Sequence, residues 1–293
     1  MCAAVADKNK SDRRSKTSPP IIDELPCNEC ADHIVVKNKS CLSLGVQAQL
    51  YAAKKLETLM SELSCTTESC VLAHPQTFVG LPAEVRQAIV VEKRTNMLPP
   101  PPATESSLLS NHNIDDRLSL AAKHDDNKFM NLGFSMIDFN DGLGYSTKLA
   151  IPDIFAIINN NPDKKFFGSV INHDHSSGGG THWVVVLIVH EPRKIILEYF
   201  NSSGTPPPSR IIRWANMFKT SAPSKLAAPK PVEYVQVLDR AMQHMSDVTE
   251  CGVYSLYYIL SRINGSHRDD FRNAKRTQKD MRTYRLYLFR SHK

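Results

Sequence analysis

Helical spacing dominates the first hundred residues. Over residues 46–63, large apolar side chains recur every three or four positions, which predicts one helix with a single buried stripe. A second helix is predicted over residues 83–93, directly after Pro82, because proline is tolerated at the start of a helix. Four consecutive prolines at 99–102 then predict an extended, semi-rigid spacer, since proline has no backbone N–H to donate.

Beyond the spacer, β-branched runs typical of strands alternate with helical patterns. Two runs, 183–189 and 195–200, are separated by a short connection that contains Pro192, so they predict an antiparallel hairpin. Together these segments predict an α+β fold in which helices flank a central, mostly antiparallel sheet. The other predicted strands are 134–139, 166–171 and 232–238, and the predicted helices are 114–123 with Asn113 as cap, 152–158, one after the prolines at 206–208, 253–263 and 278–289.

The same pattern divides the chain into four parts. Residues 1–25 are rich in Lys, Arg, Ser and Pro and poor in large apolar groups, so we expect a disordered tail. Residues 26–98 form a predicted helical arm domain, and the prolines at 99–102 form its linker to the rest. A predicted core domain over 103–293 then carries the sheet.

Composition narrows the class of protein. With 293 residues, of which 41% are hydrophobic, the chain fits one large or two small globular domains, and disorder of the whole chain is excluded. The longest apolar run, 183–189, is far shorter than the roughly 18–20 residues of a membrane span. The charged N-terminus lacks the apolar segment of a secretory signal, so we expect a reducing compartment.

The cysteines admit two interpretations. Seven is an odd number, which fits thiols better than a full set of disulfides. The alternative is a structural zinc site in the first quarter of the chain, but no second pair at suitable spacing completes the ligand set, and we expect no metal. The candidate zinc ligands are Cys27, Cys30, His33, Cys41, Cys65 and Cys70.

Cys251 stands apart, because the other six cysteines all lie at or before position 70. It directly precedes the apolar stripe of the helix predicted over 253–263, so it lies at or near that helix's N-terminus. There the unpaired N–H groups and the helix dipole favour a thiolate and can stabilise an oxyanion. The alternative is a small core residue, since cysteine is often buried.

The hairpin supplies a partner for such a nucleophile. A turn near Pro192 places His182 beside Asn201 or Ser202. An asparagine that holds one ring nitrogen of a histidine forms the base half of a Cys-His-Asn arrangement. Taken alone, each residue is explained equally well as a strand-edge histidine or a turn asparagine. Register predicts no partner for the other histidines of this region, which are His173, His175, His190 and His244.

These motifs carry a family resemblance. The sequence Thr181-His182-Trp183, a hairpin that ends at Asn201, and a Cys-Gly pair before a helix follow one another in the chain order His, Asn, Cys. This order resembles the adenovirus-protease and Ulp1-like clan of cysteine proteases. Within the clan, the chain more closely resembles the African swine fever virus branch, from about residue 28 to the C-terminus. Similar stretches include SCLS from Ser40, ESCVLAHP from Glu68, EYFNSSGTPP from Glu198 and TECGVYSLYYI from Thr249.

The resemblance implies an endopeptidase that processes viral structural polyproteins after Gly-Gly-Xaa sites, through a thioester and without a cofactor, in the host cytoplasm and the virion. It implies Cys251 as nucleophile, His182 as general base and acid, and Asn201 as the residue that orients the imidazole. The clan carries an oxyanion glutamine six or seven residues before the cysteine. Here Met245 and His244 occupy those places, and Gln243, eight residues before, is the candidate.

Two other functions are compatible with the sequence. A deubiquitinating or SUMO-like peptidase of the same clan would share the triad and differ in its substrate groove. A noncatalytic virion protein would instead bind nucleic acid through residues 262–293, which contain ten Lys and Arg but only three Asp. The aromatics interleaved there fit a packed core better than a nucleic-acid surface; they are Tyr284, Tyr287 and Phe289.

Overall fold

The computed structural model describes residues 40–52, 54–65, 67–104, 107–123, 128–141, 148–151, 153–244 and 249–290. The predicted tail at 1–25, the Cys27-x2-Cys30 pair and Pro152 lie outside these residues. Within the described ranges, every helix is too short or too polar to cross a bilayer.

Four α-helices precede the prolines in the part of the chain that is described. They are α1 (Leu44–Leu50), α2 (Leu56–Glu62), α3 (Glu68–Val71) and α4 (Ala83–Asn96). The helix predicted over 83–93 is confirmed and extends three residues further. The single helix predicted over 46–63 is wrong, because the chain breaks between α1 and α2.

A buried carboxylate explains the break. Tyr51, which ends α1, donates its hydroxyl to Glu68 at 2.8 Å. Glu68 also accepts from the Ser40 hydroxyl at 2.5 Å and from the Cys41 backbone N–H at 2.8 Å. A buried charge needs such partners, and gathering them turns the chain away from the straight helix that apolar spacing predicts.

The arm cysteines depart from the predicted thiols. Cys65 and Cys70 form a disulfide, with Cα atoms 5.5 Å apart, and Cys41 is also disulfide-bonded. The turn between α2 and α3 brings the first two within bonding reach, which an odd cysteine count does not reveal. Cys251 is the described cysteine that is not in a disulfide.

One mixed sheet forms the centre of the remaining chain. Its strands β1 (Phe129–Met136), β2 (Phe166–Asn172), β3 (Trp183–His190), β4 (Ile195–Phe200) and β5 (Val232–Gln236) lie side by side in chain order. The central pairs β2–β3 and β3–β4 are antiparallel, and the edge pairs β1–β2 and β4–β5 are parallel. The predicted hairpin is therefore confirmed. The first strand lies earlier than the predicted 134–139, since a turn follows Met136.

Helices cover both faces of this sheet. They are α5 (Asn111–Ala122), α6 (Asp153–Asn160), α7 (Ser209–Lys225), α8 (Cys251–Ile263), α9 (Arg268–Asn273) and α10 (Gln278–Leu288). Alternate residues of β3 pack into two cores: Val185 and Leu187 face α5 and α8, and Val184 and Val186 face α6 and α7. Burial on both faces explains the unbroken apolar run of this strand.

The start of α5 and the presence of α9 differ from prediction. Asn113 was expected to cap α5, but the cap is Ser110, and Asn113 completes its capping box as the third helical residue. The short helix α9 was not predicted; His267 and Asp270 close its first turn in the same way.

The prolines at 99–102 form no regular secondary structure, as expected. The spacer is nevertheless attached to the sheet-bearing part, because Leu98 packs against Leu120 of α5 and the Pro99 carbonyl accepts from the Arg290 N–H at 2.9 Å. The division into arm and core at this point stays a prediction.

A buried ion pair fixes β4 against α8. Glu198 is fully buried and accepts from both Nε and a terminal nitrogen of Arg262, at 3.0 and 2.8 Å. The Tyr258 hydroxyl donates to the same carboxylate at 2.7 Å. Because Cys251 begins α8 and Asn201 follows β4, this cluster sets the relative position of the two elements that carry them.

Candidate active site

His182 and Asn201 lie at the open end of the β3–β4 hairpin, as predicted. The ladder pairs Val185 with Phe200, so continuing it would place His182 beyond Asn201 rather than opposite it. The side chains bridge this offset, and His182 Nε2 lies 2.8 Å from Asn201 Oδ1. The predicted contact is therefore present in a register shifted from the predicted one.

The surroundings of Asn201 settle which ring nitrogen of His182 carries the proton. Asn201 Oδ1 accepts from the Ser203 backbone N–H at 3.0 Å, and its Nδ2 lies 3.3 Å from the Thr205 carbonyl. A backbone N–H can only donate and a carbonyl can only accept, so the amide has one orientation. His182 Nε2 must then donate to Oδ1, which leaves Nδ1 with a lone pair able to accept a proton.

Cys251 begins α8 and is 3% exposed. Burial raises the pKa of its thiol above the usual value, while the backbone N–H groups of Trp183 and Gly252 lower it in part. Desolvation of the charged form outweighs those hydrogen bonds, so the net shift of the thiol pKa is upward. The contact with Trp183 ties the sulfur to the residue that follows His182.

Burial also lowers the pKa of His182, and the hydrogen bond to Asn201 opposes this shift. The resting site thus holds a neutral imidazole and a neutral thiol. A neutral imidazole with a lone pair on Nδ1 can accept a proton, and a thiol that gives up its proton becomes a strong nucleophile.

Trp183 connects this site to the segment that follows the spacer. Its indole Nε1–H donates to the Leu109 carbonyl at 3.0 Å. The Leu109 side chain packs on Gly252, where an added Cβ would lie 2.9 Å from the Leu109 Cβ. Position 252 therefore admits only glycine without a shift of the neighbouring chain.

His173 and Tyr199 are residues near the site that sequence reasoning missed. The rings of His173 and His182 meet edge-on with centroids 5.2 Å apart, and the His173 N–H donates to the His182 carbonyl at 2.9 Å. The buried Tyr199 hydroxyl lies 3.3 Å from both His173 Nε2 and Asn201 Nδ2. Burial, helped by the nearby His182, lowers the pKa of His173 to about 4.

The sequence predicted no partner by register for the neighbouring histidines, but the pairing of β2 with β3 supplies one for His173. The β2–β3 register pairs Asn172 with Trp183. His173 follows Asn172 and His182 precedes Trp183, so the two histidines lie together. This strand pairing is the signal from which the position of His173 could have been predicted. The other three contact Asp138, Lys230 and the Phe271 carbonyl; they are His175, His190 and His244.

The loop before His182 is held by hydrogen bonds. Gly180 has φ +89°, its N–H donates to Asp174 at 3.1 Å, and the Thr181 N–H donates to Asn172 at 3.0 Å. A left-handed residue is needed there, which explains glycine at this position. These contacts fix the backbone that leads to His182.

The role of Gln243 in the oxyanion hole stays a prediction. The residue is exposed and follows a 3₁₀ helix, Arg240–Met242, while Met245 lies outside the described residues. The N-terminal N–H groups of α8 remain the donors that the geometry places beside Cys251.

Comparison with known proteins identifies relatives over nearly the whole chain. No protein-family model matches the sequence. The chain is 34% identical, over 277 residues, to a cysteine protease of African swine fever virus strain Badajoz 1971 Vero-adapted, covering 90% of this chain and 95% of the relative. The figures are the same for a relative named as a SUMO-1 cysteine protease, from the isolate Tick/South Africa/Pretoriuskop Pr4/1996. The crystal structure of the African swine fever virus protease superposes with a TM-score of 0.72 at 29% identity, covering 90% and 96% of the two chains, so the predicted protease fold is confirmed.

Proposed function

The chain belongs to the family of the African swine fever virus cysteine protease and is a cysteine protease, and we propose that it cleaves its substrates with Cys251, His182 and Asn201. Cys251 is the nucleophile, His182 is the general base and then the general acid, and Asn201 orients the imidazole. The observation that carries this proposal is the 2.8 Å contact between His182 Nε2 and Asn201 Oδ1, because it leaves Nδ1 as the proton acceptor.

The chemistry follows as acyl transfer. His182 Nδ1 takes the proton of the Cys251 thiol, and the sulfur forms a bond to the substrate carbonyl carbon. The imidazolium then protonates the leaving amine as the C–N bond breaks, which leaves a thioester. Water attacks the thioester carbon as His182 takes its proton, the C–S bond then breaks to release the carboxylic acid, and transfer of the proton from His182 to sulfur restores the thiol.

The tetrahedral intermediates carry a negative oxygen that needs donors. The N–H groups at the start of α8 are the donors that we propose, since the first turn of a helix leaves them without helical partners. Gln243 is the side chain that we propose as a further donor. Asparagine rather than aspartate beside His182 keeps the hydrogen bond but supplies no charge to the imidazolium.

The substrates we propose are viral structural polyproteins cut after Gly-Gly-Xaa, in the host cytoplasm and the virion. Relatives of the chain are named as SUMO-1 cysteine proteases, and this favours SUMO-like conjugates as a second candidate substrate. The same catalytic groups would serve both candidates, so the substrate groove would separate them.

Incubation of the full chain with a Gly-Gly-Xaa polyprotein and, separately, with SUMO and ubiquitin conjugates tests the proposal. We expect cleavage of the polyprotein and a fall of roughly 10⁴-fold or more in Cys251→Ser. The described chain offers no other thiol outside a disulfide as a replacement nucleophile. Cleavage that survives the serine change would reject the assignment of Cys251. Cleavage of SUMO conjugates but not of the polyprotein would reject the polyprotein as substrate and support the second candidate.

We also propose a weak nucleic-acid contact at the basic C-terminal region. Lys275, Lys279 and Arg282 are exposed, which leaves their charges accessible to phosphates, whereas Phe289 is buried and Tyr284 packs against the core. Binding of a fluorescent oligonucleotide should weaken as salt rises. Unchanged binding after reversal of these three charges would remove this contact.

A further inference from the structure

Arg285 lies behind the nucleophile and joins three segments of the chain. Its Nε and one terminal nitrogen contact Glu250 Oε2 at 3.2 and 2.8 Å, and the other terminal nitrogen donates to the Ser107 carbonyl at 2.7 Å. Arg285 and Glu250 are 4% and 1% exposed. Glu250 immediately precedes Cys251, so the guanidinium holds the residue from which the nucleophile's helix starts.

The segment that contains Ser107 also contacts the start of α8. Two residues after Ser107, the Leu109 carbonyl accepts from Trp183 and the Leu109 side chain packs on Gly252. The chain that enters the core from the spacer therefore touches both residues that donate backbone N–H groups to Cys251.

We propose that Arg285 is a positioning residue for the nucleophile: it fixes the turn into the Cys251 helix and offsets the charge of the Glu250 carboxylate beside the thiol. This inference rests on the proposed role of Cys251. A buried carboxylate without this partner would leave a negative charge next to a sulfur that must become negative during the reaction.

The groups packed around Cys251 shift the pKa of its thiol or are neutral near pH 7. Burial raises the pKa of Cys251 and Glu250 adds to this rise, whereas the cation of Arg285 pairs with Glu250 and offsets its charge. His182 directly precedes β3, and burial lowers its pKa. His244 lies beside Tyr254 of α8, and burial lowers its pKa to about 4. Both imidazoles are therefore neutral near pH 7. Helix α5 packs against α8 with apolar side chains, which are Ile114, Leu118 and Ala121.

Charge variants of the full-length protein test this role without a substrate. The measurement is the rate of iodoacetamide alkylation of Cys251 against pH, followed on its peptide by mass spectrometry. Glu250→Gln keeps a hydrogen-bond acceptor and removes the charge, so we expect the thiol pKa to fall by roughly half to one unit. Arg285→Gln should raise it by a similar amount, and the double variant should titrate near wild type.

Arg285→Lys supplies the conservative control, since it keeps the charge and should titrate near wild type. Thermal melts identify variants that do not fold; if Arg285→Gln is one, Glu250→Gln and Arg285→Lys decide the question. An unchanged thiol pKa in folded Glu250→Gln, or shifts of the same sign in both single variants, would overturn the proposal. Peptidase activity in Cys251→Ser would instead reject the proposed nucleophile, so the two failures are distinguishable.

Discussion

His182 donates through Nε2 to Oδ1 of Asn201, and the orientation of that amide is fixed by Ser203 and Thr205 rather than by the histidine. The imidazole is therefore held in one tautomer before a substrate binds. In acyl transfer this matters because a base that already presents its lone pair needs no reorientation.

The first prediction concerns the acid side of the pH profile. His182 must be neutral to accept a proton, and burial lowers its pKa, so kcat/KM should fall only as the pH drops through a value below the roughly 6.5 of ordinary histidine. Asn201→Asp adds a negative charge that favours the imidazolium. We expect the acid limb to move up by about one pH unit.

Asn201→Ala is the matched control, because it removes the hydrogen bond without adding charge. It should lower kcat by roughly 10²-fold and leave the acid limb at or below its wild-type position. An acid limb that is the same in wild type and Asn201→Asp would contradict a role for His182 as the base.

The second prediction concerns Tyr199. Its hydroxyl lies 3.3 Å from both Asn201 and His173, and Asn201 keeps its other partners when this hydroxyl is lost. Tyr199→Phe should therefore lower kcat by only about 2- to 10-fold with KM unchanged, the cost of one neutral hydrogen bond. Steady-state kinetics check this; a loss as large as that of Asn201→Ala would mean that the hydroxyl is essential to the site.

The third prediction concerns the close approach at Gly252. A Cβ there would lie 2.9 Å from the Leu109 Cβ, so Gly252→Ala should destabilise the protein by about 1–3 kcal/mol. Gly45 offers a matched control, since it is also the second residue of a helix and has open space around it. Gly45→Ala should be neutral or slightly stabilising in urea unfolding. Equal effects of the two changes would show that Leu109 does not press on the start of α8.

The fourth prediction concerns the ion pair beneath the site. Glu198→Leu leaves Arg262 buried without its carboxylate and should cost about 3–5 kcal/mol of unfolding free energy. The double variant Glu198→Leu with Arg262→Met should recover much of that loss. Glu233→Gln is the control, because Glu233 pairs with Lys194 on the surface and should change stability by less than about 1 kcal/mol. A double variant no more stable than Glu198→Leu would show that the unpaired charge of Arg262 is not the cause of the lost stability.

Those parts of the fold that depend on local spacing could be predicted from the sequence. The hairpin over 183–200 is visible because β3 is apolar on both faces and β4 follows across a short turn. The contact of His182 with Asn201 was predictable for the same reason, since the open end of a hairpin brings its first and last residues together. The side chains then span the register shift that spacing alone does not resolve.

The remaining features depend on contacts between distant segments. The break between α1 and α2 depends on Glu68, which collects donors from three places in the chain. The high thiol pKa of Cys251 depends on burial by packed neighbours, which outweighs the helix terminus that the sequence reveals. Arg285 lies 35 residues after Glu250, in helix α10. Its position in the helical pattern does not distinguish it from other residues of that helix, so its contact with Glu250 could not be predicted from the sequence.

The most direct test of the catalytic assignment is peptide mapping after reaction of the protein with an electrophilic Gly-Gly-Xaa peptide, in wild type and in His182→Ala. The account predicts a covalent adduct on Cys251 and a labelling rate at least about 10²-fold lower in the alanine variant. An adduct on another cysteine, or labelling of Cys251 at the same rate without the imidazole, would contradict it.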